Sequence, residues 1–175
     1  DADERRISIE TTFAALVDSV SDVLFSRAVD PDPDSIKHGT ASTINNRGLA
    51  GQGIPTSDFV GSAGSVSGLP LGMYYNGAIT HNTGISTICC STIEPSFYLN
   101  GGNLGDNSVG DHGIGLGFNL GQLQQGDRLS WTYSYVMGDS FDQIDIPTPV
   151  SAPATALLML SGLGLAAFRR RKLKA

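Results

Sequence analysis

Leu129-Ser130-Trp131-Thr132-Tyr133-Ser134-Tyr135-Val136 alternates bulky and small polar side chains without a break. Successive side chains of a strand point to opposite faces. Leu129, Trp131, Tyr133 and Tyr135 therefore share one face, and Ser130, Thr132 and Ser134 the other. An aromatic face that must be buried, backed by a hydroxyl face that can stay wet, is the pattern of an antiparallel sheet covered on one side. Such a strand needs a second layer, and the expected fold is an all-β antiparallel β-sandwich.

The rest of the chain up to residue 150 agrees in kind. Gly, Ser, Thr and Asn dominate, and charged residues are only 16% of the whole. This is a turn-rich composition of the secreted, β-rich type. Thr11–Phe25 is ambiguous: Phe13, Leu16, Val17, Val20, Val23 and Leu24 fall at helical spacing, whereas the β-branched content favours a strand over Asp22–Val29. Asp30-Pro31-Asp32-Pro33-Asp34 is a turn, because Pro fixes φ and drives the preceding residue out of helical geometry. Further strands are expected over Gly39–Ile44 and Phe59–Val66, with a hairpin turn at Asn45-Asn46-Arg47-Gly48 and Gly68–Tyr75 partly in the core. Ala78–Ile93 reads as a strand pair about Asn82-Thr83-Gly84, Asn100–Gly113 as a long loop, and Ile114–Leu120 with Asp127–Met137 as a hairpin about Gly121–Gly126.

The search for chemistry finds no catalytic constellation. His38, His81 and His112 are dispersed, and no spacing brings three or four zinc ligands together. No Gly-x-Ser-x-Gly elbow, no Gly-Lys-Ser/Thr phosphate loop and no placed pair of glutamates is present. No catalytic or cofactor-binding residue is assigned. Asp106 and Asp111 are calcium candidates: with Asn103 and Asn107 they sit in a Gly/Asp/Asn loop that could supply oxygen ligands. A single imperfect copy of such a loop also reads as ordinary surface. The carboxylates of the 30–34 turn carry the same pair of readings. Cys89 and Cys90 are adjacent, and two thiols, a vicinal disulfide and bonds to partners outside these 175 residues all remain open.

The C-terminal stretch reads differently from everything before it. Pro149–Thr155 contains two prolines, Ala156–Phe168 is uncharged and apolar nearly all round, and Arg169-Arg170-Arg171-Lys172-Leu173-Lys174-Ala175 closes the chain. A surface helix would show polar residues every third or fourth position. Ala152–Phe168 would extend about 25 Å as a helix, the short limit for crossing a bilayer, and the basic end then marks the cytoplasmic side. The tail holds five of the 11 Lys and Arg and none of the 17 Asp and Glu, which leaves residues 1–150 with six basic against 17 acidic side chains, net −11. An acidic body argues against nucleic acid, whose phosphates need clustered Lys and Arg.

The tail resembles the PEP-CTERM sorting signal of exported bacterial proteins: a short Pro motif, a hydrophobic helix and an Arg-rich end, in order, at the terminus. Ser151, Ala152 and Pro153 stand where that family has Pro-Glu-Pro, without the acidic residue. Asp22–Asp30 and the Leu116–Leu123 segment, with the aromatic strand that follows, are similar to strands of sandwich domains that carry this tail. The resemblance implies export, with a signal expected upstream of Asp1. It also implies an inner-membrane intermediate, recognition by an exosortase-like membrane enzyme, and release to the cell surface or matrix. The organisation expected is a sandwich of jelly-roll type over 1–143, a Pro-containing linker over 144–151 and the sorting tail over 152–175. In that tail a transmembrane helix spans 156–168, and Arg169, Arg170, Arg171 and Lys172 stop transfer. The function expected is a non-catalytic structural or adhesive one, with exopolysaccharide as a partner. The alternative is a calcium- or carbohydrate-binding module using the Asn100–His112 loop and Tyr74, Tyr75 or Tyr98; a hydrolase is the third.

Overall fold

A computed structural model describes residues 5–89 and 93–147. Nine strands form among them: β1 Arg6–Ala14, β2 Val20–Val29, β3 Thr43–Arg47, β4 Phe59–Gly64, β5 Pro70–Tyr74, β6 Thr80–Ser86, β7 Ser108–Gly110, β8 Gly113–Leu123 and β9 Arg128–Met137. Two short helices, α1 Ser35–His38 and α2 Pro95–Leu99, and 3-10 turns at Ala50–Gln52 and Phe141–Gln143 complete the set. One sheet runs in the order β1-β9-β5-β4-β3-β7 and the other in the order β2-β8-β6, and every pairing within them is antiparallel.

The pairing is nested. β1 lies on β9 from Arg6↔Val136 to Ala14↔Arg128, and β2 lies on β8 from Val20↔Leu123 to Val29↔Ile114. The chain thus crosses between sheets twice at one end, from β1 to β2 and back from β8 to β9. The two crossings are tied together there by Ala15 N donating to Asp127 O (3.1 Å) and Gly126 N to Ala15 O (2.7 Å).

This corrects the expected hairpin. β8 and β9 are consecutive but belong to different sheets, so Gly121–Gly126 is a corner. Alternation decides which face of a strand is buried and carries no information about its partner.

Three further expectations change in the same way. Ala78–Ile93 supplies one strand: β6 pairs along its whole length with β8, from Thr80↔Asn119 to Ser86↔Gly113. Asn45 and Asn46 lie inside β3, and the chain turns at Gly48, whose φ is +71°. A Cβ on Gly48 would sit 2.9 Å from Ile54 O and 3.0 Å from Thr56 N, so this turn admits only glycine. Asn45 is fully buried and its carboxamide is satisfied there: Nδ2 donates to Thr43 O and Ser108 O, and Oδ1 accepts from Thr43 and Ser62 hydroxyls, joining three strands. The helical reading of Thr11–Phe25 loses to strands on both sides of an exposed loop. β2 starts two residues before the expected Asp22, with a bulge where Asp22 takes a φ of +55°.

The alternating strand behaves as read. Trp131 and Tyr133 are buried on the inner face, while Ser130 and Thr132 are exposed. On the outer face the β1–β9 register sets Thr12 Oγ1 2.7 Å from Ser130 Oγ and Ser8 Oγ 3.2 Å from Ser134 Oγ. The main core lies between the sheets. Phe13 and Trp131 from one sheet interlock with Phe25 and Phe118 from the other, with ring centroids 5.5–6.0 Å apart.

A second cluster covers the outer face at one end: Leu49, Phe59, Tyr74, Val136 and Ile144, with Ile54, Phe141 and Ile146 against them. Ile144 and Ile146, assigned by sequence to the linker, are thus packed on the domain, which is why Ser134 is buried although it faces outward. No helix among the described residues is long and apolar enough to cross a membrane. The expected sorting motif Ser151-Ala152-Pro153, the helix over 156–168 and the stop at Arg169–Lys172 lie outside the described residues, as does Cys90.

Candidate functional site

The calcium candidates Asp106 and Asp111 part company in the fold. Asp106 Oδ1 accepts from the backbone N–H of Arg47 at 2.8 Å, which fastens its loop to the end of β3. Asp111 meets the Pro-rich turn instead. The reason is the β2–β8 register: Val29 pairs with Ile114, so the residue after β2 lies beside the residues before β8.

Carboxylate oxygens of Asp30 and Asp111 lie with Cys89 Sγ in a group whose atoms are all within 4.8 Å of one another. Asp32 joins them. Burial, and then the charges of Asp32 and Asp111, push the Asp30 carboxyl above its ordinary range; burial, and then Asp111, push Asp32 up. One oxygen of Asp32, Oδ1, is buried with no hydrogen-bond donor. Backbone carbonyls gather at the start of β8: Ile88 O, Cys89 O and Val29 O lie 2.9, 3.6 and 3.8 Å from the point a Cβ on Gly113 would occupy.

These are oxygen donors. Cys89 is disulfide-bonded and so offers no thiolate, which leaves a donor set suited to a hard, oxygen-seeking cation of the calcium type and unsuited to zinc. Mutual repulsion of the carboxylates is the cost that such a cation would offset.

The third carboxylate of the turn is used differently. Asp34 Oδ2 accepts from the N–H groups of Val66 (2.8 Å) and Ser67 (3.1 Å), capping the β4–β5 turn. A hydrogen bond from the Ser67 side chain is the first cause holding its carboxyl below the ordinary range, although burial opposes it.

Two further candidates of the Asn100–His112 loop are tied into the fold, Asn103 by its side chain and Asn107 by its backbone. Asn103 exchanges hydrogen bonds with Thr87, accepting at 3.2 Å from its N–H and donating at 3.2 Å to its hydroxyl. Asn107, at φ +59°, donates its N–H to Asn46 Oδ1 at 3.0 Å. Tyr74, Tyr75 and Tyr98 are each at most 5% exposed, so they offer no platform to a sugar. Their apolar rings went to the core, and the carbohydrate site drawn around them is overturned.

Tyr98 packs against Gly115 of β8, and its buried hydroxyl has no partner, so burial pushes its pKa up to about 12. His81 is held between Ile79 O (2.6 Å from Nδ1) and Asp58 Oδ1 (3.2 Å from Nε2), while Ser57 Oγ donates to Asp58 Oδ1 at 2.5 Å. The carboxylate sits between hydroxyl and imidazole, the wrong order for a hydroxyl nucleophile activated by a base.

Sequence reasoning weighed the 30–34 turn and Asp111 as separate sites. Their union follows from strand pairing across some eighty residues, for which no local signal exists. No protein-family model matches this chain, and neither the search of curated proteins nor that of solved structures finds a match.

Proposed function

We propose that this chain is an exported, non-catalytic surface or matrix protein whose β domain is carried on a C-terminal sorting signal of the exosortase type. The observation that supports this reading is the closure of the domain. First and last strands pair, and Phe141, Ile144 and Ile146 pack back on the sheet, so the domain's own contacts run up to Ile146. Past that point the sequence holds the Ser151-Ala152-Pro153 motif, the apolar run to Phe168 and the basic end. A membrane-borne intermediate would then leave the domain outside, and cleavage near the motif would release it whole. We read the architecture as jelly-roll-like, on the nested β1:β9 and β2:β8 pairing.

Intact-mass measurement on the native host's cell fractions tests the reading. Loss of the residues that follow the motif, with the product beyond the inner membrane, is the expected result. An uncut chain confined to the inner membrane overturns the matrix destination.

A second reading, a calcium-binding module on the same tail, is favoured by the convergence of Asp30 and Asp111, by the charge of Asp32 felt at Asp30, and by the donorless Asp32 oxygen. It expects calcium to raise the melting temperature of the wild type and of Asp106→Ala, and to lose that effect in Asp32→Asn. A calcium response that survives Asp32→Asn unchanged removes this reading.

A further inference from the structure

A polar cleft among the described residues is distinct from the carboxylate cluster and from every residue singled out above as a ligand-binding aromatic. It is a cleft of about 320 Å³ between the Gly48–Gly53 loop, the 106–107 loop and the 141–142 turn. Ligand pockets run upward from roughly 300 Å³, so this cleft has room for a sugar ring or two.

The walls are built before any ligand arrives. Leu49 and Ile54 exchange backbone hydrogen bonds at 2.9 and 3.1 Å, and Gly48 N–H donates to Phe59 O at 2.8 Å. Opposite, the 106–107 loop is clamped to β3 through Asp106 Oδ1 and Asn46 Oδ1. Phe141 forms the remaining wall, its ring standing edge-on to Phe59 at 6.5 Å. A preformed wall lowers the ordering cost of binding.

The chemistry of the lining selects the ligand. Arg47 turns its guanidinium inward, Nε donating to Thr83 Oγ1 (2.9 Å) and Nη2 to Asn82 Oδ1 (2.7 Å). Arg47 remains in the lining and feels the charge of Asp106, and the exposed carboxylates of Asp106 and Asp142 complete the ionic groups of the cleft. Beside them stand the carboxamides of Asn46, Gln52 and Asn107. Asn46 keeps its Nδ2 donors, and the Asn107 side chain bonds nothing among the described residues.

Paired donors and acceptors beside a single partly exposed ring match a molecule with vicinal hydroxyls and one apolar C–H face. An anion meets two carboxylates, and a purely apolar ligand would strand the amides without partners.

We propose that this cleft binds a neutral or amino-substituted sugar ring of a glycan and rejects uronic acids. The inference names a partner class for the matrix reading and rests on it for biological sense. It is tested separately: the cell fraction depends on the tail, whereas glycan binding depends on the cleft.

Calorimetric titration of the full chain in detergent micelles, in chelator, with cellotetraose, with the N-acetylglucosamine tetramer and with a guluronate tetramer decides the matter. At least one of the two neutral tetramers should bind saturably, and the guluronate at least about tenfold more weakly, a difference of about 1.4 kcal/mol. The Asp142→Ala/Asn107→Gly variant keeps the positive φ at 107 available and removes two exposed side chains. It should lose about tenfold or more in affinity with an unchanged melting temperature. The proposal is overturned by the absence of heat with both neutral tetramers, by uronate binding as tight as neutral binding, or by undiminished binding in the double variant.

Discussion

Asp111→Asn should stabilise this protein in the absence of divalent cations. Oxygens of Asp111 and Asp30 lie within 4.8 Å, and Asp111 also raises the Asp32 carboxyl. Two unit charges at about 4 Å repel by about 1 kcal/mol in water and about 4 kcal/mol at an effective dielectric of 20. Asp111 is exposed, so the lower end applies, and neutralising it should stabilise by about 1–2 kcal/mol. A chain of this size should then melt about 2–8 °C higher.

The sign of the pH dependence follows from the raised folded-state carboxyls of Asp30 and Asp32. Their contribution is fully present below the unfolded carboxylate range near pH 4 and is lost as pH rises through the elevated folded values. The advantage of the variant should therefore be largest at neutral pH and fade towards pH 4. Calcium should reverse the order: a cation at a hundredfold excess over its dissociation constant adds about 2.7 kcal/mol to the wild type, and Asp111→Asn removes one ligand. Differential scanning calorimetry in EGTA and in millimolar calcium, at pH 7 and pH 4, measures all four quantities. A variant that melts at or below the wild type in EGTA at pH 7 refutes the repulsion argument, and equal calcium shifts in both proteins refute the ligand assignment.

Three other substitutions probe the frame that holds these sites. Tyr98→Phe removes a buried hydroxyl that has no partner, so urea unfolding should show a gain of about 1 kcal/mol, and the slowest-titrating phenol, at about 12, should vanish from the ultraviolet pH titration. Gly115→Ala sets a Cβ 2.5 Å from Tyr98 Cζ and 2.6 Å from Cδ1, which forces α2 off β8. The expected loss is about 1–3 kcal/mol by the same urea assay, and Gly115→Ala combined with Tyr98→Leu should recover part of it. Arg47→Met leaves Thr83 and Asn82 without their charged donor between the two sheets. Chemical denaturation should show a loss of about 2–3 kcal/mol, whereas a loss under half of that would mean that the guanidinium contributes packing alone.

Local pattern was sufficient wherever one strand's two faces have different fates. Leu129–Val136 announced its buried aromatics and its hydroxyl face, Gly68–Tyr75 was legible as partly core, and the acidic, glycine-rich body read as β. The same reasoning failed wherever the answer was a partner. Gly121–Gly126 looks like a hairpin turn and is a corner between sheets, because a turn's residues limit φ and ψ without saying which strand lies alongside. Asn45 and Asn46 have the propensity of a turn and were drawn into β3 by pairing and hydrogen bonds with residues fifteen and more positions away.

The candidate sites divide along the same line. Sequence alone put Asp111 and the Asp30–Asp34 turn among oxygen donors, since that is a property of the side chains themselves. Tertiary structure joined Asp111 to Asp30 and Asp32, gave Asp34 and Asp106 to backbone N–H groups, buried the tyrosines, and assembled a cleft from three loops that no window of sequence contains. The physical reason is that residue chemistry is local, whereas convergence is decided by strand register, and register is set by burying the whole of both sheets at once.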